Sequence, residues 1–236
     1  MLQFVTKDRY WKILDDKIMD GIPGTPIWHI KDIQDAVALS HLFSLEGQDI
    51  AEIGAGNSRL LAALSKKNRC WAIDEYKGFG GGPRELPKLD NVHFVVTMVG
   101  QSRDVIPNES FDAIFSVSVV EHVETENLEA FFDDCHRILR KGGKMIHLID
   151  LYLNDHLGDN NYEMVRIKSY LNIFHKGLFQ SEGELHSDKI EDIFFRTSYA
   201  TNPDNMMRIW NNLAPSLLEK RKKAQSCTIE LVGLKR

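Results

Sequence analysis

The chain has 236 residues, 43% of them hydrophobic and 27% charged, which is enough for one large domain with a full core. A formal charge of -5 provides no general attraction to a polyanion, so nucleic acid is not an expected partner. Cys70, Cys135 and Cys227 are too scattered for a disulfide framework or a zinc site, no apolar run is long enough for membrane insertion, and the opening MLQFVTKDRYWK carries charge too early for a signal peptide; these features predict a cytoplasmic protein without a metal.

Residues 1–48 hold a mixed aromatic stretch, the turn-rich GIPGTPIWHI and a helix near Ile33–Leu42, and are expected to form an N-terminal cover segment. From 49 onward the pattern becomes regular. Strands are predicted at Asp49–Ile53, Arg69–Ile73, Val92–Val96, Phe111–Val117 and Lys144–Ile149, with helices at Arg59–Lys67 and Glu126–Arg140, the second ending at Lys141-Gly142-Gly143. Strands that are apolar throughout and joined by helices imply a parallel sheet covered on both faces, a doubly wound α/β core. Its ligand site belongs at the carboxyl ends of the strands. Residues 152–190 are polar with scattered aromatic residues and read as a substrate-side insertion within a 49–236 core. A strand at Ile193–Tyr199, a helix between Asp204 and Lys222 and a strand at Cys227–Leu234 complete the expected elements.

The segment IAEIGAGNS at 50–58 ends a strand in two glycines and opens a helix. Backbone amides and the positive helix end then face the space above the sheet. Gly54 lets the chain turn sharply, Gly56 leaves room for a ligand against the backbone, and Asn57 and Ser58 can cap the helix. Asp74 closes the next strand, where a carboxylate can accept hydrogen bonds from both hydroxyls of a ribose. A dinucleotide prefers a third glycine, but Arg59 stands there, and no G-K-[ST] follows for a P-loop. A nucleoside cofactor without a pyrophosphate fits better.

EIGAGNS resembles the first motif of the class I S-adenosylmethionine-dependent methyltransferases, (D/E)-x-G-x-G-x-G, with Ser58 in place of the last glycine. FDAIFSVSVVEHV at 111–123 and RILRKGGKMI at 137–146 are similar to that family's fourth strand and to its following helix, glycine turn and fifth strand. The resemblance implies a Rossmann-like methyltransferase fold: a mostly parallel seven-stranded sheet with an antiparallel last strand. It implies that S-adenosylmethionine is held by Glu52, Gly54, Ala55, Gly56, Asn57, Asp74 and Glu75, with Met98 and Val99 against the adenine and Ser116 and Val117 at the fourth strand's end. The adenine-binding acid of many relatives is missing from VVTMVGQS at 95–102, so Gln101 or Ser102 would supply the polar contact.

A methyl transferred to a hydroxyl needs a base. His122 and His156 are the candidates, although His122 can equally anchor its own loop. Trp28, His29, Asp150 and Asp155 are expected to line the acceptor pocket. The resulting expectation is methylation of a small-molecule or glycan-type acceptor at a hydroxyl oxygen. Nitrogen or carboxyl methylation, an NAD-linked oxidoreductase or epimerase, and a non-catalytic cofactor-binding scaffold remain open. A homodimer through the apolar side of the late helix is also open.

Overall fold

The structure, a computed structural model, describes residues 1–20, 22, 30–78, 82–154, 162–181, 199–200 and 224–236. Eight strands and five helices are assigned among them: β1 (Leu2–Phe4), α1 (Lys7–Asp15), α2 (Ile30–Leu42), β2 (Asp49–Ile53), α3 (Leu60–Leu64), β3 (Arg69–Asp74), β4 (Val92–Val96), β5 (Phe111–Val117), α4 (Leu128–Ile138), β6 (Leu139–Asn154), α5 (Tyr162–His175), β7 (Phe179–Ser181) and β8 (Ala224–Lys235). They build one sheet in the order β1-β8-β6-β5-β2-β3-β4, with β7 also paired to β8.

The four pairings among β2 to β6 are parallel, and β8 runs antiparallel beside β6. The order reverses at β2, since β3 and β4 lie on one side of it and β5 and β6 on the other. Such a switch point leaves a crevice above the strand ends, because the connections on its two sides leave toward opposite faces. Val37, Leu39, Leu60 and Leu61 of α2 and α3 pack with Ile50, Ala72 and Phe115 on one face. Phe131, Phe132 and Ile138 of α4 and Ile167 and Tyr170 of α5 pack with Ile53, Ile73 and Ile114 on the other. The strands are therefore buried on both sides, as a run of uninterrupted apolar residues requires.

Three details differ from the expectation. The sheet has eight strands because β8 is long enough for β1 and β7 to share its outer edge, β1 against Ile229–Leu231 and β7 against Gly233–Lys235. Residues 1–48 thus contribute a strand to the sheet as well as α1 and α2. The second predicted helix ends at Ile138, not at the glycine pair. Leu139 already pairs with Phe111, and β6 continues through Lys141-Gly142-Gly143 with a register shift in the pairing between Phe111 and Ala113. Gly142 has φ +77°, the local twist that lets the extended chain absorb the shift. The expected strand at 193–199 and helix at 204–222 lie outside the described residues apart from Tyr199, which bridges to Thr6 and stacks on Phe4 with ring centroids 4.6 Å apart.

Candidate active site

The glycine corner forms where β2 ends. The amides of Gly54 and Ala55 both donate to the Ile73 carbonyl, at 2.7 and 3.3 Å, turning the chain across the end of β3. Gly54 has φ +64°, and a Cβ there would lie 2.5 Å from Cγ2 of Val119. That glycine is required by its conformation and by close packing. Gly56, at φ +48°, has different surroundings: the nearest atom to a Cβ would be Pro83 Cδ at 3.5 Å. Its amide donates to Asp74 Oδ2 at 3.0 Å, while the amide of Tyr76 donates to Asp74 Oδ1 at 2.8 Å. Asp74 is therefore held by both oxygens across the β2 and β3 corners, each oxygen keeping a further lone pair for a ligand hydroxyl.

Ser58 replaces the motif's last glycine and has a function there. Its hydroxyl donates to the buried Glu52 carboxyl and accepts from the Leu61 amide at 3.0 Å, capping the first turn of α3. Burial pushes the Glu52 carboxyl well above the usual carboxylate range, with the Ser58 hydrogen bond opposing it and Asp35 and Asp74 reinforcing it. Arg59, at the position that argued against a dinucleotide, reaches Asp32 at 2.9 Å and also pairs with Asp35, fastening α3 to α2. The i, i+3 spacing of Asp32 and Asp35 was the available sequence signal for this clamp.

On the other side of the switch point, Ser118 follows β5 with φ +53°. Its hydroxyl lies 2.6 Å from Oε1 of the fully buried Gln34 and 3.2 Å from Asp150 Oδ1, to which Gln34 Nε2 also donates. This link from α2 to the ends of β5 and β6 is absent from the sequence motifs, since Gln34 looks like any polar residue of an amphipathic helix. A short 3-10 turn, Val120–His122, comes next. Arg166 of α5, 3% exposed, fixes that turn by donating to the carbonyls of Val120 at 2.6 Å and Val123 at 2.8 Å and to the Tyr170 hydroxyl at 3.0 Å. Desolvation lowers the pKa of His122, and Lys31 and Arg166 add to the fall while Asp150 opposes it. Its side chain is 63% exposed, and Nε2 stands 3.9 Å from Glu121 Oε1.

The structure therefore gathers Glu52, Gly54, Ala55, Gly56, Asn57, Asp74, Val117 and His122 at or just after the carboxyl ends of β2, β3 and β5, with Asp150 beside them within β6. Glu75 pairs with Lys77 at 2.6 Å at the rim. Met98 is exposed, but Val99 is buried in the core on the α4 side, so only the methionine can meet a ligand through its side chain. Ser116 is also withdrawn: its hydroxyl is fully buried 2.7 Å from His147 Nδ1 beneath α4, because alternate residues of β5 face opposite sides of a sheet covered on both. Ser102 is spent on Asp134 at 2.6 Å and is fully buried. Trp28, His29, Asp155 and His156 lie outside the described residues. Tyr76, at φ +52°, carries a buried hydroxyl with no hydrogen-bond partner among the described residues, and burial beside Asp74 and Glu52 pushes its pKa up to about 12.

A separate groove of about 330 Å³ opens at the amino ends of the strands between Trp71, Phe111 and Arg140. Its polar groups are ion pairs that tie strand starts together, Arg140 with Asp49 and Asp112 at 2.7 Å each, and offer no reactive centre. Among the described residues no group of three acidic, histidine or cysteine side chains is placed to hold a metal, and no helix is long and apolar enough to cross a membrane.

A family model described as Methyltransferase domain matches residues 51–147, the span from β2 into β6. Over that span the chain is similar to a methyltransferase domain. The fold as a whole has counterparts in solved structures. Geranyl diphosphate C-methyltransferase from Streptomyces coelicolor A3(2), solved with Mg2+, geranyl diphosphate and S-adenosyl-L-homocysteine, is 13% identical with a TM-score of 0.55 over 86% of this chain and 77% of that one. Phosphoethanolamine N-methyltransferase 2 from Haemonchus contortus, solved with S-adenosyl-L-methionine, is 18% identical with a TM-score of 0.54, and the match covers 86% of this chain but 52% of that one. At these identities the likeness is one of fold. No curated protein matches the chain.

Proposed function

We propose that the domain binds S-adenosylmethionine and methylates a small-molecule acceptor. The observation that carries this reading is Asp74, fixed through both oxygens by the Gly56 and Tyr76 amides at the glycine corner. The residues fit the group. Asp74 suits a ribose diol, Gly56 carries no side chain of its own to hold the nucleoside off the backbone, and the Tyr76 hydroxyl, without a partner among the described residues, supplies one further donor. Glu52, a buried carboxyl, suits the amino-acid end of the cofactor. When bound, the cofactor supplies an already activated methyl group, so the protein's work is to align the acceptor and exclude water.

The preference for a hydroxyl acceptor depended on His122 and His156. His122 stands at the site with lowered basicity, and His156 lies outside the described residues. Structural relatives include both a carbon and a nitrogen methyltransferase. Methylation at nitrogen, which needs no strong base, is accordingly an equal reading of this site. A dinucleotide is disfavoured because Arg59, clamped to Asp32 and Asp35, fills the place of the third glycine.

Calorimetric titration with S-adenosylhomocysteine tests the reading. Wild type should bind in the micromolar range, and Asp74→Ala should weaken binding about tenfold or more, roughly 1.4 kcal/mol. A folded wild type that fails to bind it, or that binds NADH instead, overturns the proposal.

A further inference from the structure

We propose that Glu121 anchors a positively charged amino group carried by the methyl acceptor. This rests on the methyltransferase reading and adds the chemical class of substrate to it.

The Glu121 side chain is 14% exposed, but both of its carboxylate oxygens are closed off from solvent and have no hydrogen-bond partner of normal geometry among the described residues. A buried carboxyl of that kind is costly. The turn is held through its backbone, since Arg166 donates to the Val120 and Val123 carbonyls as well as to Thr125 and Tyr170. Arg166 therefore sets the position of Glu121 without pairing with it. The charges around the carboxyl are mixed, Asp150 on one side and Lys31 on the other. Asp150 lies close enough to disfavour the ionised form of Glu121, and its Oδ1 is already occupied by Gln34 and Ser118. Lys31 and the amides of Glu121 and Asp150 offset part of the desolvation without cancelling it.

A neutral hydroxyl would satisfy one lone pair of Glu121 and leave two acids facing each other. A protonated amine donates to the orphaned oxygens and balances their charge. A substrate carboxylate or phosphate at this point would be repelled. The charged nitrogen is a handle and not the nucleophile, because a protonated nitrogen has no free electron pair to accept a methyl group.

The test uses the full chain saturated with S-adenosylhomocysteine. Benzylamine and phenethylamine are titrated against benzyl alcohol and phenethyl alcohol, with melting temperature and calorimetry as readouts, in wild type and in Glu121→Gln, which keeps the side chain's shape. The amines should bind wild type and the alcohols at least about tenfold more weakly. Glu121→Gln should lose about tenfold in amine affinity while S-adenosylhomocysteine affinity stays within about twofold. Equal behaviour of amines and alcohols, no amine binding, or undiminished amine affinity in Glu121→Gln would overturn the proposal while leaving the cofactor reading intact. If Glu121→Gln does not fold, the amine-to-alcohol ratio in wild type decides. Loss of S-adenosylhomocysteine binding in wild type would instead strike the function proposed above.

Discussion

Replacing Gly54 by alanine should test whether the corner is built by packing as well as by backbone freedom. At φ +64° an L residue costs about 1–2 kcal/mol. The new Cβ would also stand 2.5 Å from Val119 Cγ2 and 3.1 Å from Cγ1, an overlap that costs about 1–3 kcal/mol to relieve in a packed region. Gly54→Ala is therefore expected to destabilise by about 2–5 kcal/mol in urea unfolding. Gly56→Ala, at φ +48° with its nearest contact at 3.5 Å, should cost only the conformational part, about 1–2 kcal/mol. Adding Val119→Ala removes both Cγ atoms and leaves Val119's Cβ position at 3.4 Å, an ordinary contact. The cycle between Gly54→Ala and Val119→Ala should then show a coupling of about 1–3 kcal/mol. Equal costs for the two glycine substitutions, or no relief from Val119→Ala, would refute the packing argument.

Two further outcomes concern groups away from the corner. His147 is fully buried, and desolvation lowers its pKa from 6.5 to about 3, so the unfolded chain takes up the proton first; stability is kept above pH 6.5 and lost as pH falls toward 3. By pH 5 the loss relative to a non-titrating His147→Gln variant should reach about 2 kcal/mol, and a constant difference between pH 8 and 5 would exclude this origin. Arg166→Met should speed amide exchange at His122 and Val123 more than about tenfold, because the turn loses its carbonyl clamp, while affinity for S-adenosylhomocysteine stays within about twofold. Unchanged exchange would mean that the turn is held by its own hydrogen bonds.

The strand-to-helix rhythm from Asp49 to Ile138 and the corner residues Glu52, Gly54, Gly56 and Asp74 were legible in the sequence because they act locally: apolar runs, helical periodicity and a glycine turn each leave their mark within a few neighbouring residues. Even there the boundaries moved, as when Leu139 left the helix to pair with Phe111. Alternation along β5 also sent Ser116 into the core with His147 while the motif's resemblance had placed it at the site. What the tertiary structure alone decided are the contacts that join distant segments: Arg59 to Asp32 and Asp35, Gln34 to Ser118 and Asp150, Arg166 to the carbonyls around Glu121, and β1 and β7 end to end along β8. Each partner in those contacts is an ordinary polar or apolar residue in its own neighbourhood. Its role arises only when the sheet closes, burying carboxyls and carbonyls that must then find charge or hydrogen-bond partners across the fold.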